Sequence, residues 1–295
     1  IFFERGAAGK RTGSAGWYNS VAFENEAKKA GIYAKSINGD AYSNEIKQQT
    51  IDIIKKDWQG EIDLVIYSLA SPRRTDPSDG VTYNSVLKPI GGIYKDKTID
   101  ILTGEISEIE IAPATDDEVD NTVKVMGGED WQLWIDLLSK EKLLAKGATT
   151  LAYSYIGPDM TYPIYRNGTI GRAKEHLEKI SEIISKKLQS TCGGSAFVSV
   201  NKGLVTQASS AIPVVPLYIS LLYKVMKEKN LHEGCIEQIW RLYTERLYID
   251  KDETPVDSEK RIRIDDWELQ SDIQQEVAKL WNDVTTTNID AISDI

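Results

Sequence analysis

Strand-like and helix-like segments alternate along this chain, and this alternation limits the fold more than any other feature of the sequence. Helical periodicity at residues 17–30 and 44–57 separates three extended segments at 1–4, 32–36 and 64–67. The third segment, Leu-Val-Ile-Tyr, is an apolar run typical of a buried parallel strand. Because the connections are short and crossovers are right-handed, the order favours an α/β fold with a doubly wound parallel sheet.

The same alternation continues in the second half of the chain. The patterns predict helices at 130–144, 213–229, 233–247 and 266–284, a helix that carries Lys174, and strands at 149–155, 196–200 and 261–264. Residues 71–127 interrupt the alternation with turn-rich and β-rich sequence. Two β-like stretches there, 99–102 and 108–111, flank Thr103-Gly104 and predict an inserted hairpin. We therefore expect a single domain over residues 1–295, with a β-rich insertion at 71–127.

Composition excludes several classes of protein. With 41% hydrophobic and 27% charged residues, the 295-residue chain is typical of a globular protein. No apolar run approaches the roughly 18 residues that cross a bilayer, and the first residues lack a signal peptide's features, so we expect a cytoplasmic protein. Cys192 and Cys235 lie in unrelated contexts, and the two histidines are far apart, so we predict no metal site.

Charge bears on the partners. A net charge of −10 disfavours nucleic acid and anionic membranes as partners. An anionic substrate would need a local basic patch. The candidates for such a patch are Arg73, Arg74, Arg166, Arg172 and Lys202.

Tyr165 and Lys174 are the strongest candidates for chemistry. Nine residues are two and a half helical turns, so the pair cannot share one helix face, and Asn167-Gly168 indicates a loop that leads into the lysine's helix. An ammonium near a phenol lowers the phenol's pKa from about 10 and eases proton donation to a developing oxyanion. From spacing alone, an ordinary tyrosine and a surface lysine remain the alternative.

Glu4 ends the first extended segment. An acidic side chain at the end of the second strand of a dinucleotide-binding unit accepts hydrogen bonds from the adenosine ribose and repels a 2′-phosphate, which selects NAD(H). Arg5 could instead favour NADP(H), and a solvated carboxylate is the structural alternative.

Small and polar residues follow the other predicted strands. Ligands of open α/β sheets bind at the carboxyl ends of the strands, so these segments are candidates for cofactor contact, although small residues also merely turn chains. They are Asp40-Ala41, Ser68-Leu69-Ala70 and Leu204-Val205-Thr206.

Residues 153–174, which include Tyr165 and Lys174, closely resemble the signature of the FabV and trans-2-enoyl-CoA reductase family, with its Tyr-x8-Lys motif. The resemblance implies a Rossmann-like sheet with a helical substrate-binding region. It also implies NADH as cofactor, trans-2-enoyl-CoA or enoyl-acyl carrier protein as substrate, and a monomer. The implied reaction is reduction of the C2=C3 double bond of the substrate in fatty-acid synthesis.

The resemblance also implies roles for individual residues. Tyr165 would protonate the enolate, Lys174 would bind the nicotinamide ribose and tune Tyr165, and Tyr155 would contact the substrate. Phe3 and Glu4 match the segment with the NADH-selecting glutamate. The segments Asp40-Ala41, Ser68-Leu69-Ala70 and Leu204-Val205-Thr206 would line the cofactor pocket, and the apolar helix after them would lie near the acyl pocket.

Two other functions stay open at this point. A carbonyl reductase similar to the short-chain dehydrogenases would use the same tyrosine and lysine on a C=O bond. A noncatalytic fragment that binds acyl thioesters is the second alternative. The family's first strand, its glycine-rich turn and its C-terminal tail have no counterpart in the sequence, so we expect weak dinucleotide affinity, an unpaired sheet edge and poor stability.

Overall fold

The computed structural model describes residues 1–58, 61–69, 71–206, 209, 212–249 and 254–294. The strands are β1 (Ile62–Tyr67), β2 (Arg73–Thr75), β3 (Thr82–Asn84), β4 (Tyr94–Ile99), β5 (Ile106–Ile111), β6 (Leu144–Ser154), β7 (Ser195–Val200) and β8 (Arg261–Arg263). The helices are α1 (Ala15–Lys29), α2 (Asn44–Asp57), α3 (Asp116–Met126), α4 (Glu129–Lys140), α5 (Thr169–Cys192), α6 (Val215–Glu228), α7 (Cys235–Leu242), α8 (Ser271–Asp283) and α9 (Ile289–Ile292).

A four-stranded parallel sheet forms the centre of the molecule. Its strand order is β1-β6-β7-β8, and each neighbouring pair is parallel. Since the strands point the same way, their carboxyl ends lie along one edge of the sheet. The predicted α/β fold, with a parallel sheet flanked by helices, is confirmed.

Both faces of the sheet are covered by apolar side chains from helices. On one face, α2, α4 and α5 pack against residues such as Ala152 and Val198, and fully buried Trp131 and Ile135 belong to this cluster. On the other face, Leu242 of α7 packs against strand residues of β6 and β8. The alternation of side chains along a strand explains why successive residues of β6 belong to different clusters.

A hairpin is present around Thr103-Gly104, but its first strand lies earlier than the predicted 99–102, because residues 100–105 form the connection. Strands β4 and β5 pair antiparallel, with Ile99 opposite Ile106 and the turn at Thr103-Gly104 between them. A shorter antiparallel pair, β2 and β3, precedes it. Tyr94 and Ile99 join a third apolar cluster that is built mainly from α6 and α8. That residues 71–127 form a distinct insertion stays a prediction.

Two predicted strands are wrong. Residues 1–4 and 32–36 form no strand, and the only pairing near them in the described residues is a single parallel bridge between Phe2 and Asn38. A strand needs a ladder of hydrogen bonds to a neighbour. Here Phe2 N–H donates to Ile37 O (3.0 Å) and Gly39 N–H donates to Phe2 O (2.8 Å), and the ladder goes no further.

Strand β6 begins earlier than its apolar pattern predicts, because it contains a bulge. Ile62 pairs with Leu144 and Leu64 with Thr149, so five residues of β6 match two of β1. Gly147 lies in this extra stretch with a φ of 77°, a conformation that favours glycine.

In the described part of the chain, no helix has the length and apolar content that a bilayer crossing requires.

Candidate functional site

A cavity of about 260 Å³ lies at the carboxyl edge of the sheet. Residues that directly follow β1, β6 and β7 line it, and Tyr165 and Lys174 line it as well. The strand-end contributors are Ser68, Leu69, Tyr155, Asn201, Lys202, Gly203, Leu204 and Thr206. The structure thus brings the tyrosine and the lysine to one cavity, at the place where open α/β sheets bind ligands.

Tyr165 lies in a series of turns that leads into α5, as the Asn-Gly sequence predicts. Its backbone N–H donates to Thr161 O (2.9 Å), and α5 starts where Thr169 N–H donates to Lys88 O (3.0 Å). The Tyr165 side chain is 5% exposed. Lys174 follows in the second turn of α5, so the loop contributes one of the two side chains to the cavity and the helix contributes the other.

Burial controls the ionisation of both groups. It raises the pKa of Tyr165 well above its usual value, and burial alone accounts for this shift. Burial lowers the pKa of Lys174 to about 8, against a smaller opposing effect of Glu178. No effect of Lys174 accompanies the shift in the pKa of Tyr165, so the tuning of Tyr165 by Lys174 stays a prediction. Tyr165 holds its proton at neutral pH and is a hydrogen-bond donor.

Tyr155 lies beside Tyr165 in the wall of the cavity. The two rings meet edge to face, with centroids 5.1 Å apart and planes at 72°. The Tyr155 hydroxyl donates to Oε1 of Glu268 (2.9 Å), and the Tyr218 hydroxyl donates to the same oxygen (2.7 Å). Glu268 is absent from the sequence candidates, because an acidic residue in a polar stretch between β8 and α8 gives no sign that it is fully buried.

Of the candidates for a basic patch, Lys202 lines the cavity and the four arginines do not, and most of the arginines have carboxylate partners. Arg74 pairs with Glu129 (2.7 Å) and Arg166 with Glu178 (3.0 Å). Lys202 differs, since it lines the cavity and is 2% exposed. Its Nζ donates to the carbonyl oxygen of the next residue (3.1 Å), and burial lowers the pKa of this lysine.

The other predicted cofactor residues divide into two groups. Leu204 and Thr206 line the cavity with Ser68 and Leu69, and the latter two also line a second cavity of about 370 Å³ along β1, together with Ala41. Val205 is exposed, and its N–H donates to the Tyr223 hydroxyl (2.9 Å).

The remaining candidates line neither cavity. Phe3 is 77% exposed, and the Glu4 side chain packs against Gly16 at the start of α1. Asp40 accepts a hydrogen bond from Tyr42 N–H (3.0 Å) in the turn before α2. Ala70 lies outside the described residues. Their predicted contacts with a cofactor stay predictions, and among the described residues no cluster of three potential metal ligands is found.

The fold and the site together define a class: an α/β protein of the nucleotide-dependent oxidoreductase type, with a tyrosine and a lysine at the carboxyl edge of a parallel sheet. Residues 11–248 match the family model described as the trans-2-enoyl-CoA reductase catalytic region, and residues 256–295 match the model described as the enoyl reductase FAD binding domain. The chain belongs to this enoyl reductase family, as the resemblance implied.

Three relatives support the assignment. The chain is 62% identical to an enoyl-[acyl-carrier-protein] reductase [NADH] of Coxiella burnetii, over all of this chain and 72% of that protein. The Treponema denticola trans-2-enoyl-CoA reductase in complex with NAD matches with a TM-score of 0.95 and 55% identity, over 99% of this chain and 72% of that one. The Clostridium acetobutulicum reductase in complex with NADH matches with a TM-score of 0.95 and 48% identity, over 99% and 73%.

The name of the second family model raises the question of a flavin. A flavin dinucleotide carries a pyrophosphate, which needs free cations or an unobstructed helix N-terminus. In the described residues 256–294, Arg261 pairs with Asp257 (2.8 Å) and Arg263 with Asp265 (2.6 Å), and Asp272 lies in the first turn of α8. These residues do not fit a flavin pyrophosphate, so no flavin step enters the chemistry below.

Proposed function

We propose that this protein reduces the C2=C3 double bond of a trans-2-enoyl thioester with NADH. The observation that carries the proposal is the single cavity shared by Tyr165, Lys174 and the strand-end residues of β1, β6 and β7. The names of the similar proteins give the substrate class, an enoyl group on coenzyme A or on acyl carrier protein, and the cofactor.

Tyr165 supplies the proton and stabilises charge. When bound, NADH supplies a hydride to C3 of the substrate. Negative charge then develops on the thioester oxygen, which needs a hydrogen-bond donor in a site that excludes water. Because burial keeps Tyr165 protonated, its hydroxyl is available to donate to that oxygen and to transfer its proton to the enolate. The saturated thioester forms when C2 takes up a proton and the oxygen gives its own up.

Lys174 and the loop after β7 suit the nicotinamide end of the cofactor. The Lys174 ammonium can donate hydrogen bonds to ribose hydroxyls. Because Lys174 is half-buried in the same cavity as Tyr165, these bonds would hold the ribose near the Tyr165 hydroxyl. Leu204 and Thr206 give the cavity an apolar and a polar wall segment. We propose these contacts, with Ser68 and Leu69 toward the adenosine end, as the cofactor site. Use of either carrier, a monomeric state and a cytoplasmic location remain predictions.

The test replaces Tyr165 with phenylalanine and follows NADH oxidation with crotonyl-CoA. Removal of a general acid costs about 10²–10⁴-fold in rate, so Tyr165→Phe should lower kcat by at least about 100-fold. The dissociation constant of NADH should change little, since the hydroxyl acts on the thioester. Tyr162→Phe is the matched control, because Tyr162 belongs to the same series of turns but lines a different cavity.

Three outcomes would contradict the proposal. Full turnover by Tyr165→Phe would remove this hydroxyl from the chemistry. Oxidation of NADH with acetoacetyl-CoA but not with crotonyl-CoA would identify a carbonyl reductase. Saturable binding of acyl-CoA without saturable binding of NADH would identify a noncatalytic thioester-binding protein.

A further inference from the structure

Glu268 is a fully buried carboxylate that the proposed chemistry does not use. It lies between β8 and α8, and its side chain contacts Tyr155 and Gly203, two residues that line the cavity. Its Oε1 accepts hydrogen bonds from the hydroxyls of Tyr155 (2.9 Å) and Tyr218 (2.7 Å), and its Oε2 accepts one from Gly203 N–H (2.6 Å).

Burial of this carboxylate is costly, which argues for a role beyond packing. Burial raises the pKa of Glu268, and the bonds from Gly203, Tyr218 and Tyr155 oppose this shift without cancelling it. Burial of a charge without partners costs free energy, whereas burial of an apolar side chain of the same size is favourable. The three donors converge on one carboxyl group, so they offset part of that cost.

The partners of Glu268 belong to both sides of the cavity. Tyr155 lines the cavity and contacts the ring of Tyr165 edge to face. Gly203 directly precedes the segment that contains Leu204 and Thr206, which we assign to the nicotinamide end of the cofactor. The Glu268 carboxyl group therefore holds the substrate side of the cavity through the Tyr155 side chain and the cofactor side through the Gly203 backbone.

We propose that Glu268 is a positioning residue for enoyl reduction, which orients the Tyr155 hydroxyl and holds the backbone at Gly203. This inference rests on the proposed function. Since the Tyr155 proton is donated to Glu268, the Tyr155 oxygen is left as a hydrogen-bond acceptor in the cavity. Tyr165 is then the tyrosine that donates to the thioester oxygen, so the two neighbouring phenols have different tasks.

Glu268→Gln tests this arrangement with almost no change in shape. If the amide oxygen faces the two tyrosines, the amide NH₂ meets Gly203 N–H, and two donors oppose each other. If the amide turns over, the NH₂ faces the hydroxyls, which must rotate, and Tyr155 no longer donates there. Either orientation disturbs one side of the cavity. We expect kcat with crotonyl-CoA and NADH to fall about 10–100-fold, less than the roughly 10²–10³-fold loss of a donor that contacts the oxyanion directly, because Glu268 acts through Tyr155 and Gly203.

Tyr218→Phe is the matched control. It removes a bond to the same carboxylate oxygen, but Tyr218 does not line the cavity. We expect its kcat to stay within about threefold of the wild-type value, because Glu268 keeps its bonds to Tyr155 and Gly203 when the Tyr218 hydroxyl is removed. The kcat of a Tyr155→Phe/Glu268→Gln double variant should lie within about twofold of the kcat of the slower single variant. The reason is that the effects of residues that act as a unit do not add.

A spectroscopic measurement tests the geometry without any turnover. Tyrosine labelled with ¹³C at Cζ reports the partner of each hydroxyl, and Tyr155→Phe assigns the resonance. We expect the Tyr155 resonance to move in Glu268→Gln and to stay in place in a Gln270→Glu variant, whose side chain lies in the same loop. An unmoved Tyr155 resonance would overturn the proposal.

The two proposals fail in different ways. Absence of NADH oxidation by the wild-type protein with any enoyl thioester would defeat the proposed function, while the resonance would still test the contact of Glu268 with Tyr155. Wild-type activity with an unchanged kcat in Glu268→Gln would leave the proposed function standing and overturn the positioning role. Additive effects in the double variant would show that Glu268 does not act through Tyr155.

Discussion

Lys174 carries its charge in surroundings that disfavour it. Burial lowers its pKa from 10.5 to about 8, and a cost of this kind is common at functional sites, where geometry is needed more than stability. Tyr165 has the opposite shift, because its charged form is the anion. At pH 7 burial therefore leaves a neutral phenol in one cavity with a cation that loses its proton more easily than an exposed lysine does.

Lys174→Met should stabilise the protein at neutral pH. Below pH 8 the lysine is protonated in both states, so the folded state bears the full cost of the buried charge. Between pH 8 and 10.5 the unfolded state binds more protons, so this residue makes stability rise with pH. We expect Lys174→Met to raise the free energy of unfolding at pH 7 by on the order of 1 kcal/mol, a value reduced for partial exposure to solvent. The gain should shrink toward pH 10.5.

Urea denaturation at pH 7 and pH 10 measures this difference. Lys179→Met, which changes an exposed lysine of the same helix, is the control and should leave stability nearly unchanged. A Lys174→Met protein that is less stable than wild type at pH 7, or whose difference does not depend on pH, would contradict the argument. NADH affinity should fall in the same variant, since the proposed ribose contact is lost.

At the scale of elements, the junction between the Tyr165 loop and α5 depends on two glycines. A Cβ at Gly168 would lie 2.7 Å from Ile164 O and 2.8 Å from Lys88 O. A Cβ at Gly171 would overlap the carbonyl oxygen of Arg166. The absence of a side chain at both positions lets the loop pack against the first turn of the helix, which sets the place of Tyr165.

Gly171→Ala should disturb the site more than the fold. Alanine favours a helix by about 1 kcal/mol over glycine, but the collision must displace the loop or the helix, at a cost of about 1–3 kcal/mol. Because the displaced loop carries Tyr165, we expect kcat for crotonyl-CoA to fall by at least about 10-fold. Gly92→Ala is the control, since a Cβ there meets open space. Equal kcat for the two variants would show that the close approach does not position Tyr165.

Local sequence patterns predict most of the helices and the strands of the parallel sheet, but they miss α3, which lies within the segment interpreted as β-rich. The periodicity at 44–57 gives α2 with its bounds, and the Asn-Gly sequence gives the loop before α5. Residues 1–4 and 32–36 have the extended, apolar character of strands, but pairing depends on a neighbour that is distant in sequence. Glu268 escapes prediction for the same reason, because its partners at 155, 203 and 218 come together only in the fold.

At the scale of the whole molecule, the hairpin of β4 and β5 contacts the C-terminal helix α8. Nζ of Lys97 in β4 donates to the carbonyl oxygens of Trp281 (2.8 Å), Asn282 (3.1 Å) and Val284 (3.4 Å) at the end of α8. The backbone N–H of residue 106 in β5 also donates to the Thr286 hydroxyl (2.9 Å). These contacts join segments that are distant in the chain, beside the apolar cluster of α6 and α8.

Lys97→Met should weaken this connection without changing the site. The lysine satisfies carbonyl groups that a helix end leaves without partners, and its charge favours the negative end of the helix dipole. We expect the free energy of unfolding to fall by about 1–2 kcal/mol. Lys95→Met is the matched control from the same strand, where the exposed pair with Glu110 (2.6 Å) should contribute little to stability because water and salt screen it. Urea denaturation measures both variants, and NADH titration should give unchanged affinity. Equal stability losses would show that the contact with α8 is no stronger than a surface ion pair.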